Sequence, residues 1–289
     1  MQVAKKPKGN LSPVRIRAKC VADPETIQKH VEYCTSLDLP IFYPSPSSHD
    51  LEAVLVGSGP SVKTQLSSLK RKARNPKCKI FGIKGGHDFL IKNKIEPDFA
   101  LAVDPLERIH KENFLKKAEN CTYFIASQCH PTLFDMLIER GEKVVIWHLL
   151  TDSLMQYARN PESPIHKHYL IPGGSTSGLR ALFLAHAMGF RKMHLYGYDS
   201  CLSGVQRKVN GETYEEKKED GSSKAVPMIV GGKKFMSDPA MASQANEFQD
   251  SIKGLWKEDD PIFIRAYGEG LIQQIVKERY KEGAPECLL

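Results

Sequence analysis

The feature that most constrains this chain is a rhythm in its apolar residues. From Leu51 onward, short runs rich in β-branched and aromatic residues alternate with amphipathic segments of helix length. That alternation predicts a parallel sheet covered by helices, because each strand must be followed by a crossover long enough to return the chain to the same end. The runs at 53–56, 79–83, 99–103, 122–125, 143–147 and 193–196 are predicted strands, and 61–73, 87–93, 106–116, 131–140 and 177–188 are predicted helices. A late strand at 261–266 precedes a last helix over 271–281. The pattern predicts an α/β, doubly wound, mostly parallel, Rossmann-like sheet, in which ligands gather outside the carboxyl ends of the strands.

Around this core the chain divides unevenly. Residues 1–49 read as a basic arm, a helix and a linker: "ADPETIQKHVEYCTSL" offers Asp23 as N-cap and Pro24 at the first helical position, giving a helix to about Leu37, and "PIFYPSPSSHD" is a Pro/Ser linker. The α/β domain spans 50–283 and residues 284–289 form a tail. Within the domain, 203–234 is polar, mixed in charge and flanked by glycine, which fits either a lid-like flexible insertion beside the site or a tolerated surface loop.

Composition narrows the class. No apolar run approaches the roughly 20 residues needed to cross a bilayer. The charged N-terminus lacks the apolar block of a signal peptide, so a soluble, cytoplasmic protein with no membrane partner is expected. The seven cysteines are scattered, with no metal-ligand spacing, and read as reduced structural thiols. A formal charge of +7 suits an anionic ligand, but the cations are spread among 34 acids, so nucleic-acid binding is open without being indicated. The oligomeric state is not legible.

Four turns carry the candidate chemistry. The first, "VLVGSGPSVKT", nearly spells two nucleotide fingerprints, but Val62 stands where a P-loop and a Rossmann turn both need glycine. What remains is Gly57, Ser58, Gly59, Pro60 and Ser61, either a phosphate-binding helix start or a plain glycine turn. The second, "FGIKGGHDFL", places Lys84 and Gly85 at a strand's carboxyl end, where the lysine would meet phosphate. In "KIEPDFALAVDP", Asp104 leaves a strand just before Pro105, positioned either to hold Mg²⁺ or to cap the next helix. The fourth, "IPGGSTSGLRALFLAHAMGF", fails as a nucleophile elbow because Thr176 occupies the serine position. Gly173, Gly174, Ser175, Thr176, Ser177 and Gly178 instead form a second candidate anion loop opening a helix. His186 on that helix reads as a packed residue. The strand after it ends "MHLYGYDSC", where Asp199 either contacts a metal or ribose hydroxyl or simply closes a turn.

Taken in order, "VGSGPSV", "IEPDFALAVDP", "GGSTSGLRALFLAHAMGFRKMHLYGYD" and "SQANEFQDSIKGL" with "FIRAYGEGL" resemble the 6-hydroxymethylpterin diphosphokinase MptE-like family, over roughly residues 50 to 275. Phages also encode proteins of this kind, for which the compartment is the host cytoplasm. More distantly the chain is similar to bacterial sialyltransferases that use CMP-sialic acid. The resemblance implies a nucleotide-binding domain whose Gly57–Ser61 turn and 173–178 loop hold phosphates. It implies Asp104 as Mg²⁺ ligand and catalytic residue, and Asp199 as a second catalytic residue lining the same crevice. The sialyltransferase-like members rely on a histidine after the G-x-D segment, and 201–289 contains none.

These readings lead to a Mg²⁺-dependent transferase that takes a nucleoside triphosphate such as ATP as donor and moves its pyrophosphoryl group to a small hydroxymethyl acceptor. Nucleotide-sugar glycosyl transfer and a non-catalytic nucleotide-binding protein are the alternatives. Both anion loops must then face one crevice.

Overall fold

The computed structural model describes residues 22–204, 208–209 and 225–287. In chain order the elements are α1 (Pro24–Thr35), β1 (Glu52–Val56), α2 (Leu66–Ala73), β2 (Cys78–Ile83), α3 (Gly85–Lys92), β3 (Phe99–Ala102), α4 (Ile109–Glu112) and β4 (Thr122–Ala126). There follow α5 (Pro131–Glu139), β5 (Lys143–Leu149), α6 (Asp152–Arg159), β6 (Leu170–Ile171), α7 (Ser177–Ala187) and β7 (Lys192–Tyr196). The chain ends with β8 (Val226–Val230), β9 (Lys233–Ser237), α8 (Pro239–Leu255), β10 (Phe263–Tyr267) and α9 (Leu271–Lys281).

Eight strands form one parallel sheet in the order β10-β7-β1-β2-β3-β4-β5-β6, the expected α/β doubly wound, Rossmann-like architecture. The chain winds outward from β1 to β6, crosses back through α7 and continues on the other side of β1 with β7 and β10. The order therefore reverses between β1 and β7, and that switch point is where such sheets open a crevice. Alternate residues of β1 feed opposite faces, as a two-residue period requires. Val54 and Val56 pack with Leu69 of α2 and Leu90 of α3, while Ala53 and Leu55 join the larger core with Leu179 and Leu182 of α7. Each leucine so buried contributes about 1.5–3 kcal/mol.

The N-terminal extension is built into this core. Asp23 caps α1 by accepting from the Thr26 amide, and Ile27, Val31 and Cys34 are buried. In the linker, Ile41 bridges to Ile146, with Phe42 N–H donating to the Ile146 carbonyl and Ile146 N–H to that of Pro40. The arm at 1–19 lies outside the described residues, as does most of 203–234. The described end of that insertion forms the antiparallel β8–β9 hairpin, with Met228 buried and Ile229 exposed.

Several predicted elements are redrawn. The helix expected over 61–73 is a 3-10 turn, Pro60–Lys63, followed by the shorter α2. The helix expected over 106–116 is one turn, α4. Elements α6, β6, the hairpin and α8 had no predicted counterpart. Among the described residues no helix is long and apolar enough to cross a membrane.

Three partly or fully buried histidines set an acid limit. Burial holds His148 down to about 3, with nearby His168 adding to it. Burial followed by Arg191 holds His186 at about 4, and burial followed by Lys72 does the same for His194, against the opposing pull of Glu52. Each binds its proton less readily folded than unfolded, so the unfolded chain gains protons first as pH falls. Stability from this source is complete above pH about 6.5 and declines toward pH 4, by up to about 1.4 kcal/mol per pH unit for each histidine. Urea unfolding across that range should show the decline, and His148→Gln should flatten its slope by about a third.

Candidate functional site

The site begins where two turns cross. Gly57 N–H donates to the Tyr196 carbonyl at 2.8 Å and Gly59 N–H to the Gly197 carbonyl at 2.9 Å, lacing the turn after β1 to the turn after β7. A Cβ at Gly57 would stand 2.7 Å from the Gly197 oxygen, and one at Gly59 would stand 2.6 Å from it. Gly197 itself has φ +67°, a left-handed conformation that glycine adopts without penalty. Two of the glycines in the phosphate-loop spelling thus serve a backbone-to-backbone approach.

Asp199 seals the crossing. Its carboxylate accepts from the Ser61 amide at 2.8 Å, from the Ser61 hydroxyl in a short contact, and from the Gln273 side-chain amide of α9 at 3.1 Å. Burial raises its pKa, opposed by these hydrogen bonds. Ser61 therefore has both its amide and its hydroxyl engaged, and Pro60 is buried beneath. Of this turn, Gly57, Ser58 and Gly59 reach the cavity wall.

The second turn supplies a cation under strain. Lys84 has φ +50° and ψ −121° immediately before α3, a conformation costing a non-glycine residue on the order of 1–3 kcal/mol. This directs its ammonium to Asp104 at 2.6 Å. Behind it Gly86 packs so closely that a Cβ would lie 2.1 Å from the Val56 carbonyl oxygen. Asp104 does not cap a helix, since α4 begins at Ile109. It is an ion-pair partner, also 3.4 Å from the Ser177 hydroxyl.

The third loop starts at the far edge of the sheet, after β6, yet reaches the same place because α7 runs back over β1, β2 and β3. Thr176 caps α7 through the Leu179 amide and is itself held by Gln244 at 3.0 Å. Glu247 of α8 accepts from the Ser175 amide at 2.7 Å and the Ser175 hydroxyl at 2.9 Å, so an internal carboxylate fills the front of this loop. Gly173 and Gly174 do not line the cavity; they accommodate Arg180 in one case and Leu179 and Glu247 in the other.

The three turns enclose a cavity of about 470 Å³. Its walls include Ser58, Lys84, Gly85, Asp104, Ser175, Thr176, Ser177, Gly178 and Asp199. Gly85 opens α3, and Ser177 and Gly178 open α7, so their amides lack intrahelical acceptors and lie at the positive ends of two helix dipoles. Sequence reasoning missed Arg108, Glu112, Asn113, Met241 and Gln244, which also line it. The last two belong to α8, whose "SQANEFQ" was legible as a shared motif without a place. Among the described residues no cluster of three or more His, Cys, Asp or Glu is arranged to hold a metal. Asp104, with Ser177 beside it, suits a cation whose remaining ligands arrive with the substrate.

Fold and cavity together define an open, parallel-sheet α/β protein with a polar ligand crevice at its switch point. A family model described as 6-hydroxymethylpterin diphosphokinase MptE-like matches residues 29–205, more than half of the chain, and the chain belongs to the MptE-like family. That description is of a transferase. Among solved structures, the MAf glycosyltransferase from Magnetospirillum magneticum AMB-1 is similar with a TM-score of 0.60 and 18% identity, over 84% of this chain and 36% of that one. At that identity the likeness is one of fold, and the chain spans little more than a third of that protein. No curated protein matches.

Removing Asp199 tests the crossing. Asp199→Ala leaves the Ser61 and Gln273 donors buried without their acceptor and should lower unfolding free energy by about 3 kcal/mol. Asp199→Asn, which keeps an acceptor oxygen, should cost less. Denaturant titration of both variants checks the order.

Proposed function

We propose that the chain is a nucleotide-dependent transferase of the diphosphokinase type, moving a pyrophosphoryl group from a nucleoside triphosphate to a small hydroxymethyl acceptor. The observation that carries this reading is the convergence of the α3 and α7 N-termini and Lys84 on one switch-point cavity. Reactions of this kind ask the protein mainly to position phosphates and neutralise their charge. In this assignment the amides at Gly85, Ser177 and Gly178 hold the polyphosphate, and Lys84 and Arg108 balance its charge. Mg²⁺, when bound with the nucleotide, supplies further neutralisation, and Asp104 is its protein carboxylate. Asp199 acts by positioning, since its oxygens are occupied by Ser61 and Gln273.

A second reading, glycosyl transfer from a nucleotide sugar, draws support from the MAf glycosyltransferase likeness. No histidine lines the cavity among the described residues, so this reading needs a carboxylate such as Asp104 or Glu112 as base.

The two readings part in a thermal-shift screen. ATP with Mg²⁺ should raise the melting temperature under the first reading, and CMP or UDP sugars should do so under the second. Asp104→Asn should lower turnover at least about a hundredfold. It should leave the fold intact, because a half-exposed ion pair contributes only about 0–1 kcal/mol. Full activity in that variant overturns the assignment of Asp104.

A further inference from the structure

The charge is dealt less evenly than the chain totals suggest. From 53 to 87 there is no acidic residue, while Lys63, Lys70, Arg71, Lys72, Arg74, Lys77 and Lys79 all fall within that stretch. Lys72 is paired with Glu52 and Lys79 with Asp98, both at 2.8 Å. Lys63, Lys70, Arg71, Arg74 and Lys77 are exposed and have no carboxylate partner among the described residues. On α2 and the turn after it, Lys70, Arg71 and Arg74 fall at helical spacings of one face, so the fold gathers a local run of sequence into a surface stripe.

That stripe borders a cleft. Between α2 and β10 lies a second hollow of about 260 Å³, lined by Ser68, Arg71, Lys72, Asn75, Arg265 and Tyr267, and it shares no residue with the switch-point cavity. Its floor is braced: Tyr267 stacks on Tyr196 with centroids 4.3 Å apart, and Tyr196 shares a hydrogen bond with Ser68 at 2.9 Å. The Tyr267 hydroxyl meets His194 at 3.1 Å, and His194 meets Glu52 at 2.9 Å. Burial alone would raise the Glu52 carboxyl, but the hydrogen bonds from Lys72 and His194 outweigh it and hold that group at about 2, so it stays ionised and retains Lys72. Arg71 and Arg265 are left as cations without an ion pair, and Arg265 stands over the Tyr267 ring with its guanidinium carbon 5.4 Å from the centroid.

We propose that the α2–β10 cleft and its basic border bind the backbone of a single-stranded nucleic acid. The cleft is one helix and one strand wide, which suits a single phosphodiester chain. It combines a positive groove with a guanidinium stacked on aromatic rings, the pairing on which single-strand platforms rely. Arg71, Arg74 and Lys70 contact successive phosphates, while Arg265, propped by Tyr267 and Tyr196, offers its flat face to a base. The surface is independent of the transferase reading.

Fluorescence anisotropy of the full chain with a labelled oligothymidylate, across a series of salt concentrations, tests this. Binding should weaken linearly in log–log form with salt. The double variant Arg71→Ala with Arg265→Ala should bind at least about tenfold more weakly, with a slope smaller by about 1.4, or about 0.7 for each cation lost. The control pair Lys29→Ala with Lys253→Ala, on α1 and α8, should leave the slope unchanged. An unchanged melting temperature shows that the double variant is folded; if it is not, Arg71→Gln with Arg265→Gln replaces it. The proposal is overturned by no binding, by equal losses in the two variant pairs, or by binding to inorganic triphosphate or anionic vesicles with none to the oligonucleotide.

Discussion

The architecture of the crevice depends on one contact that contains almost no side chain. The turns after β1 and β7 are neighbours only because Gly57, Gly59 and Gly197 let two backbones approach to hydrogen-bonding distance, where any Cβ would stand under 3 Å from a carbonyl oxygen. Polar backbone brought this close inside a protein must be fully satisfied, and the amides of Gly57 and Gly59 are. Asp199 then extends the junction to α9 through Gln273, so three elements meet at one carboxylate. The raised pKa of Asp199 reflects the cost of burying it, and its hydrogen bonds offset that cost locally.

With the crossing spent on structure, the groups that remain available to a ligand come from elsewhere. They are the first turns of α3 and α7, aimed into the cavity from opposite sides of the switch point. Lys84 shows the tension in this arrangement. Its left-handed backbone is paid for by the packing of Gly86 under it, and the outcome is an ammonium held at the mouth of a helix dipole. Helix α8 contributes from beyond the family match, clamping the third loop through Gln244 and Glu247 and closing one wall with Met241.

How much of this was legible follows from the range over which each signal acts. The strands announced themselves because a buried parallel strand must be apolar along its length, and the last helix was read to the residue. Asp-Pro spelled helix starts at Asp23 and Asp238, yet the same spelling at Asp104 does not start one, because Lys84 from another turn takes the carboxylate. Helix α8 stayed hidden since its buried face is built partly from small residues, Ala242, Ser243 and Ala245, which leave a faint apolar stripe. The glycine turn was read as a phosphate loop, whereas its partner lies far along the chain: Ser61 and Asp199 are 138 positions apart, and no local pattern reports such a neighbour. The dense basic stretch was masked by whole-chain averages.

The charge around the cavity bears on what enters it. Lys84, Arg108 and Lys208 stand among its lining cations, while Asp104, Glu112 and Asp199 are its lining carboxylates, and Glu247 adds another just behind Ser175. Formal charges of the walls therefore nearly cancel, and a bare triphosphate would gain little from them beyond the helix termini. A triphosphate accompanied by a divalent cation fits better, because the metal offsets phosphate charge directly and turns Asp104 from a repulsive neighbour into a ligand. Releasing Asp104 from Lys84 would at the same moment free the ammonium for phosphate. On this argument the ion pair at the mouth of the crevice is the resting form of two groups that part when metal and nucleotide arrive together, and it explains why a single carboxylate suffices where a preformed metal cluster is absent among the described residues.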